Sequence, residues 1–112
     1  MSEFQHKKLA GGQWQKLSFF EQMANVGSEV ERAINWRKQE NQEYSQLAFE
    51  RALELLDLTI DDANNKKRLR ELLRLREALA DYFCSTNSFS SSDALWRNYF
   101  FSFGYAARLR VC

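Results

Sequence analysis

The sequence predicts an all-α protein, an antiparallel up-down four-helix bundle with an irregular N-terminal arm. Three observations point there. The 112 residues contain no proline and only 4 glycines, so little interrupts long helices. Apolar side chains recur at spacings of three and four along four separate stretches. Each stretch runs for about 18–20 residues, roughly 30 Å as a helix, and the connections between them are short.

Residues 1–16 form the arm, with Gly11-Gly12 as its flexible point. The first helix covers about 18–38. Ser18 and Glu21 make a capping box, and Phe19, Met23, Val26, Val30, Ala33 and Arg37 mark one face. Gly27 borders that face and predicts the close approach of a neighbouring helix. The second helix, about 42–60, sets Ala48, Ala52, Leu55, Leu56 and Ile60 against an opposite arc of Glu43, Glu50, Glu54 and Asp57. "DDANN" ends it. The third spans about 66–83, and the serine-rich "CSTNSFSSS" follows. Ser91 or Ser92 caps the fourth helix, about 92–110. Neither a repeat nor a second domain is visible, so residues 1–112 read as one domain.

Hydrophobic content of 45% and charged content of 28% are ordinary for a globular chain, and the formal net charge is only +1. That charge is unevenly placed. Residues 1–61 carry 7 basic and 10 acidic side chains, net −3, while residues 62–112 carry 9 and 5, net +4. The split points weakly to an anionic partner for the second half. Cys84 and Cys112 lack metal-binding spacing and have only His6 as a companion, so they read as free thiols in a reducing cytosol. The N-terminal residues have no apolar leader, and no run approaches a membrane span, which predicts a cytoplasmic protein without membrane contact.

Six of the thirteen residues from Asn64 to Arg76 are basic. On a wheel of 100° per residue, Leu69, Leu72, Leu73, Leu79, Ala80 and Phe83 share an arc that also contains Arg76. A charge there needs a carboxylate partner or an escape to the edge. Glu29, beside the apolar face of the first helix, is the expected partner in a structural ion pair. Lys66, Lys67, Arg70 and Arg74 fall on the wet arc with Glu71, Glu77 and Asp81. Two readings stand side by side. Glu71 and Glu77 offset the cations in a solvated, salt-bridged face, or the four cations face the phosphates of a nucleic acid. Cations in the first turns of a helix oppose its dipole, which favours an external anion.

"ALWRNYFFSFGYAARLR" holds more aromatics than one core face needs. Leu95, Trp96, Tyr99, Phe100, Phe103, Ala106 and Ala107 fit a buried arc. Phe101 and Tyr105 lie on the far side beside Arg97 and Arg108, the composition of a protein–protein contact. Homo-oligomer formation is the favoured reading, with another protein, a nucleic acid or cover by the arm as alternatives. The arm brings Phe4, Leu9 and Trp14.

Catalytic signatures are missing. His6 is the only histidine, so no Ser-His-Asp or Cys-His pair sits on the scaffold. There is no P-loop and no Glu-x-x-His pair of di-iron bundles. The chain reads as a non-enzyme, with no catalytic residues, no metal site and no cofactor.

"EQMANVGSEVERAINW", "AFERALELLDLTIDD", "RLRELLRLREALADYF" and "YFFSFGYAARLR" together resemble a family of small, uncharacterised bacterial helical-bundle proteins of the cytosol. The resemblance implies the bundle and no activity. In architecture alone the chain is similar to HEPN ribonucleases, whose Arg-x(4–6)-His motif it lacks. It is similar in the same way to the basic four-helix accessory proteins of diversity-generating retroelements, which bind reverse transcriptase and nucleic acid. The expectation is a self-associating accessory or adaptor bundle that binds nucleic acid within a larger complex, a reverse transcriptase being one such partner. The alternative is a HEPN-like toxin–antitoxin or RNase-related component.

Overall fold

The computed structural model describes residues 12–85, 87–88 and 90–111. Four helices follow in chain order: α1 Phe19–Lys38, α2 Gln42–Asp61, α3 Leu69–Cys84 and α4 Asp93–Val111. Short 3-10 segments, Trp14–Lys16 and Ala63–Arg68, precede α1 and α3. Among the described residues there is no strand. Cross-helix contacts fix the directions. Ser45 Oγ donates to the Ala33 carbonyl, Arg76 reaches Asp57, and Arg97 reaches Glu31. Each of these pairs runs antiparallel, so the bundle is up-down, with α1 diagonal to α3.

Local chemistry sets the boundaries. Ser18 Oγ accepts from the Glu21 amide at 3.1 Å, and Glu21 Oε1 accepts from the Ser18 amide at 2.8 Å, closing the expected capping box. Asn41 Oδ1 caps α2 by accepting from the Tyr44 amide. The tight α1–α2 turn takes Glu40 into the left-handed region, φ 61°. Ser92 Oγ accepts from the Leu95 amide and starts α4.

The core gathers Met23, Val26, Val30, Ala33 and Ile34 from α1 and Ala48, Phe49, Ala52, Leu55 and Leu56 from α2. Leu72, Leu75 and Leu79 of α3 and Trp96 and Phe100 of α4 complete it. Each such leucine or phenylalanine contributes about 1.5–3 kcal/mol by leaving water. Alanines and Ser45 at the α1–α2 contact let those two helices approach most closely. Gly27 does the same for α4: a Cβ there would lie 2.6 Å from the Phe100 Cβ. The close approach expected at Gly27 is therefore present.

At one end of the bundle, "DDANN" does more than break a helix. Gln22 Nε2 donates to Asp62 Oδ2 at 2.9 Å and to the Trp14 carbonyl at 3.0 Å. Asn65 Nδ2 donates to Gln22 Oε1 and to the Thr59 carbonyl, both at 2.9 Å. The Trp14 indole donates to Thr59 Oγ1 at 3.0 Å. All five residues are buried, and the network satisfies them. Trp14 was expected in an irregular arm. It instead occupies a 3-10 turn and plugs this end of the core, while Phe4, His6 and Leu9 lie outside the described residues.

At the opposite end Arg37 lies 4.6 Å from the ring centres of both Tyr82 and Phe83, and its Nη2 is 3.4 Å from Asp93 Oδ1. The Tyr82 hydroxyl donates to the same Asp93 oxygen. Burial first, then that hydrogen bond, pushes the Tyr82 phenol up. Cys84 nearby is exposed and free, and Cys112 lies outside the described residues.

Helix α3 is turned relative to the expected arc. Leu72, Leu75 and Leu79 are buried, whereas Leu69 and Leu73 are exposed. The stripe centre is thus about 60° from the one the wheel gave. Ala63–Arg68 is a 3-10 segment with Asn65 off helical geometry, so α3 itself starts at Leu69 and docks through Leu75. This moves Arg76 to the α2 edge, where Asp57 meets it. The Arg76–Glu29 pair is accordingly corrected. Glu29 sits on the diagonal helix and pairs with Arg32 at 3.4 Å, and the Arg76 side chain is 40% exposed rather than buried.

Candidate interaction surfaces

Trp96 and Phe100 supply the core side of α4, stacked at 6.1 Å, with Tyr99 and Phe103 packed beside them. Tyr99 meets Phe103 edge-on at 5.2 Å. Burial, aided by the Glu71 carboxylate, pushes the Tyr99 phenol up to about 12. That side alone satisfies what a bundle helix requires.

The other side is also apolar. Phe101 is 67% exposed, Tyr105 53%, Leu109 58% and Leu95 49%. Ala94, Asn98 and Ser102 fill the spaces between them, and Arg108 at the margin is the one charged residue in the exposed set among residues 93–109. The contrast with the other helices is sharp. Exposed positions of α3 include Arg70, Glu71, Arg74 and Glu77, and those of α2 include Glu43, Glu50 and Asp61. An exposed helix face this apolar, with charge only at its margin, is the signature of a covered surface.

Two depressions flank this helix. A groove of about 820 Å³ between α1 and α4 is lined by Gly27, Arg32, Phe101, Gly104 and Arg108 among others. A cleft of about 720 Å³ lies between α3 and α4, with Leu75, Ala78, Leu95, Trp96 and Tyr99 in its wall. Both are open; Glu31, Arg32, Arg97 and Arg108 line the first among its apolar residues, and Glu71, Arg74 and Glu77 line the second. Among the described residues no three His, Cys, Asp or Glu side chains gather as metal ligands. No helix of the described residues is long and apolar enough to cross a membrane.

Of the four residues expected to form the contact, the structure brings Phe101, Tyr105 and Arg108 together on exposed surface. Arg97 is a correction. Its Nε lies 3.0 and 3.1 Å from the two Glu31 oxygens, and Nη2 donates to Asn35 Oδ1 at 2.8 Å. The close α1–α4 approach at Gly27 brings α1 within its reach, so Arg97 ties two helices together instead of facing a partner. Leu95 is the reverse case, expected in the core and found exposed. Leu109, Asn98 and Ser102 also belong to the face and carry only their spacing as a sequence signal.

Lys66, Lys67, Arg70 and Arg74 are all exposed. Among the described residues none of them makes an ion pair within 4.0 Å, so the expected offsets from Glu71 and Glu77 are not formed. Lys66 and Lys67 stand on the 3-10 segment, ahead of α3, and only Arg70 lies in its first turn. The dipole argument therefore applies to fewer residues than expected. Arg68 between them sits over the Phe19 ring at 4.0 Å.

Comparison with family models, with curated proteins and with solved structures finds no match to this chain.

Proposed function

We propose that the protein is a non-enzymatic helical bundle that works by association, and that the outer face of α4 is its contact with another copy. The observation that carries this reading is the largely apolar exposed face of α4 around Phe101, Tyr105 and Leu109, with Arg108 at its margin. Covering three such side chains contributes several kcal/mol, about 25 cal/mol per Å² of apolar surface removed from water, and association must exceed the cost of lost freedom. Sedimentation velocity at micromolar concentrations tests it. The wild type should sediment as an oligomer. Phe101→Glu with Tyr105→Glu should shift it to monomer without loss of helicity. A monomeric wild type at every concentration removes the proposal.

A second reading rests on the unpaired cations. Lys66, Lys67, Arg70 and Arg74 would bind nucleic acid through phosphate, with little sequence preference and a steep salt dependence. Assembly would multiply the patch and raise avidity. Fluorescence anisotropy at ~50 mM salt, where such binding is strongest, should show binding that weakens with added salt. Lys67→Glu with Arg70→Glu should flatten the salt slope. An absence of binding at that salt leaves the row as a solvated surface.

A further inference from the structure

The exposed face of α4 has a register of its own. Leu95, Asn98, Ser102, Tyr105 and Leu109 follow one another at spacings of three and four, and all five are exposed. This is the a/d rhythm of a coiled-coil seam. It is also nearly symmetric about Ser102, with a leucine seven residues to either side and the two larger polar side chains between.

We propose that two copies pair through this row, α4 against α4 in antiparallel sense, about a two-fold axis at Ser102. The inference rests on the self-association reading above and adds its geometry. A second copy is the fitting occupant because a two-fold axis turns a surface onto itself. A face of a single charge sign would there meet charges of its own kind. The α4 row contains no charge to repel.

The centre is suited to close approach. Ser102 is small, which permits an axis separation near the short end of the range, about 8 Å. Its hydroxyl already donates to the Tyr99 carbonyl at 2.8 Å, so enclosing it strands no donor. Asn98 has no side-chain hydrogen bond among the described residues. In the antiparallel register it stands opposite the partner's Tyr105, an amide oxygen facing a phenolic donor. Leu95 stands opposite the partner's Leu109 at both ends, and Phe101 flanks the seam.

Single cysteines test the register, in a Cys84→Ser, Cys112→Ser background so that only introduced thiols react. Ser102→Cys should form a disulfide-linked dimer under mild oxidation, because the axis holds the two Cα atoms within the ~7 Å a disulfide needs. Leu95→Cys alone should not cross-link, since fourteen residues of rise, about 21 Å, would separate the two thiols. An equal mixture of Leu95→Cys and Leu109→Cys chains should give the mixed dimer. Sedimentation of the unoxidised parent is run first. A monomer there overturns self-association and the register together. A dimer in which Leu95→Cys links to itself is parallel and overturns the register alone. A dimer in which no introduced thiol links has its contact elsewhere, and the α4 pairing is then wrong. Circular dichroism of each variant confirms that the exposed substitutions leave the bundle folded.

Discussion

Arg76 of α3 grips Asp57 of α2 with two nitrogens, Nε to Oδ1 at 2.7 Å and Nη2 to Oδ2 at 3.3 Å. The hydrogen bond to Asp57 raises the guanidinium pKa further above its ordinary value. Both partners are partly wet, with side chains 40% and 44% exposed. Exposed pairs contribute about 0.2–1 kcal/mol, and a two-point geometry belongs at the upper end. Arg76→Ala should therefore lower stability by about 1 kcal/mol, less than the ~3–5 kcal/mol of breaking a buried pair. Urea denaturation in low salt and in 1 M salt checks this, because screening should shrink the difference between variant and wild type.

Two glycines in helices should respond oppositely to the same change. At Gly27 an added methyl would lie 2.6 Å from the Phe100 Cβ, with Phe100 Cγ at 2.9 Å. Neither atom is the free end of a flexible chain, so α1 and α4 must part. Gly27→Ala should cost about 1–3 kcal/mol from overpacking, which outweighs the gain of up to ~1 in helix propensity. At Gly104 nothing lies within 4 Å of the added Cβ. Gly104→Ala should stabilise by about 0.5–1 kcal/mol. Thermal melts of the two variants should move in opposite directions.

The buried polar cluster should be the most sensitive polar site in the molecule. Gln22→Met removes two donors and an acceptor at once, leaving Asp62 Oδ2 and one Asn65 Nδ2 proton without a partner, while the Trp14 carbonyl still accepts from the Leu17 amide. A loss of about 2–4 kcal/mol is expected from two stranded groups. Ser18→Ala, which removes a cap at the surface, should cost only about 1 kcal/mol. Denaturant midpoints compared across the two variants check the order.

Alkaline pH should weaken the fold through Tyr99. Its phenol is pushed up to about 12, against about 10 in the unfolded chain. The folded protein keeps this proton where the unfolded chain releases it. The contribution is thus complete below about pH 10 and is lost as pH rises toward 12. Two units at ~1.4 kcal/mol each give about 3 kcal/mol, which solvent screening of this partly exposed phenol reduces to on the order of 2 kcal/mol. Tyr99→Phe should flatten stability over that range, and Tyr82, raised in the same direction, should retain part of the slope. Denaturation at pH 9, 10 and 11 on both proteins measures it.

The starts of α1, α2 and α4 were legible in the sequence because local chemistry decides them, Ser18 with Glu21, Asn41 and Ser92 acting within four residues of themselves. Helix α3 begins three residues later than its apolar spacing gave, because Ala63–Arg68 is a 3-10 segment. Rotation about each axis was less legible. The wheel sets Leu69, Leu72 and Leu73 on the core arc and leaves Leu75 off it, yet docking on α2 buries Leu72 and Leu75 and leaves Leu69 and Leu73 in water. Arg76 followed that rotation to Asp57, and Leu95 left the core for the same kind of reason. Phe101 and Tyr105 were visible as a surplus of aromatics over what a core face uses. Arg97 looked identical to Arg108 in sequence, and only the partners across from it on α1 separate them. The cluster of Gln22, Thr59 and Asn65 was invisible, since uncharged polar residues resemble surface until the bundle encloses them.

The bonds that close this cluster are distant along the chain: Trp14 with Thr59, Gln22 with Asp62, Gln22 with Asn65. Each closes a loop of some forty residues, and loop closure grows more costly with length. The α1–α2 hairpin, by contrast, begins from a three-residue turn. By loop closure alone, α1 should pair with α2 early and the amide cluster should form after the rate-limiting step. Loss of Gln22 or Asn65 would then leave the folding rate nearly unchanged and accelerate unfolding. The cluster would then serve as a latch on the native state, and stopped-flow folding and unfolding of Gln22→Met should show the change in the unfolding rate alone.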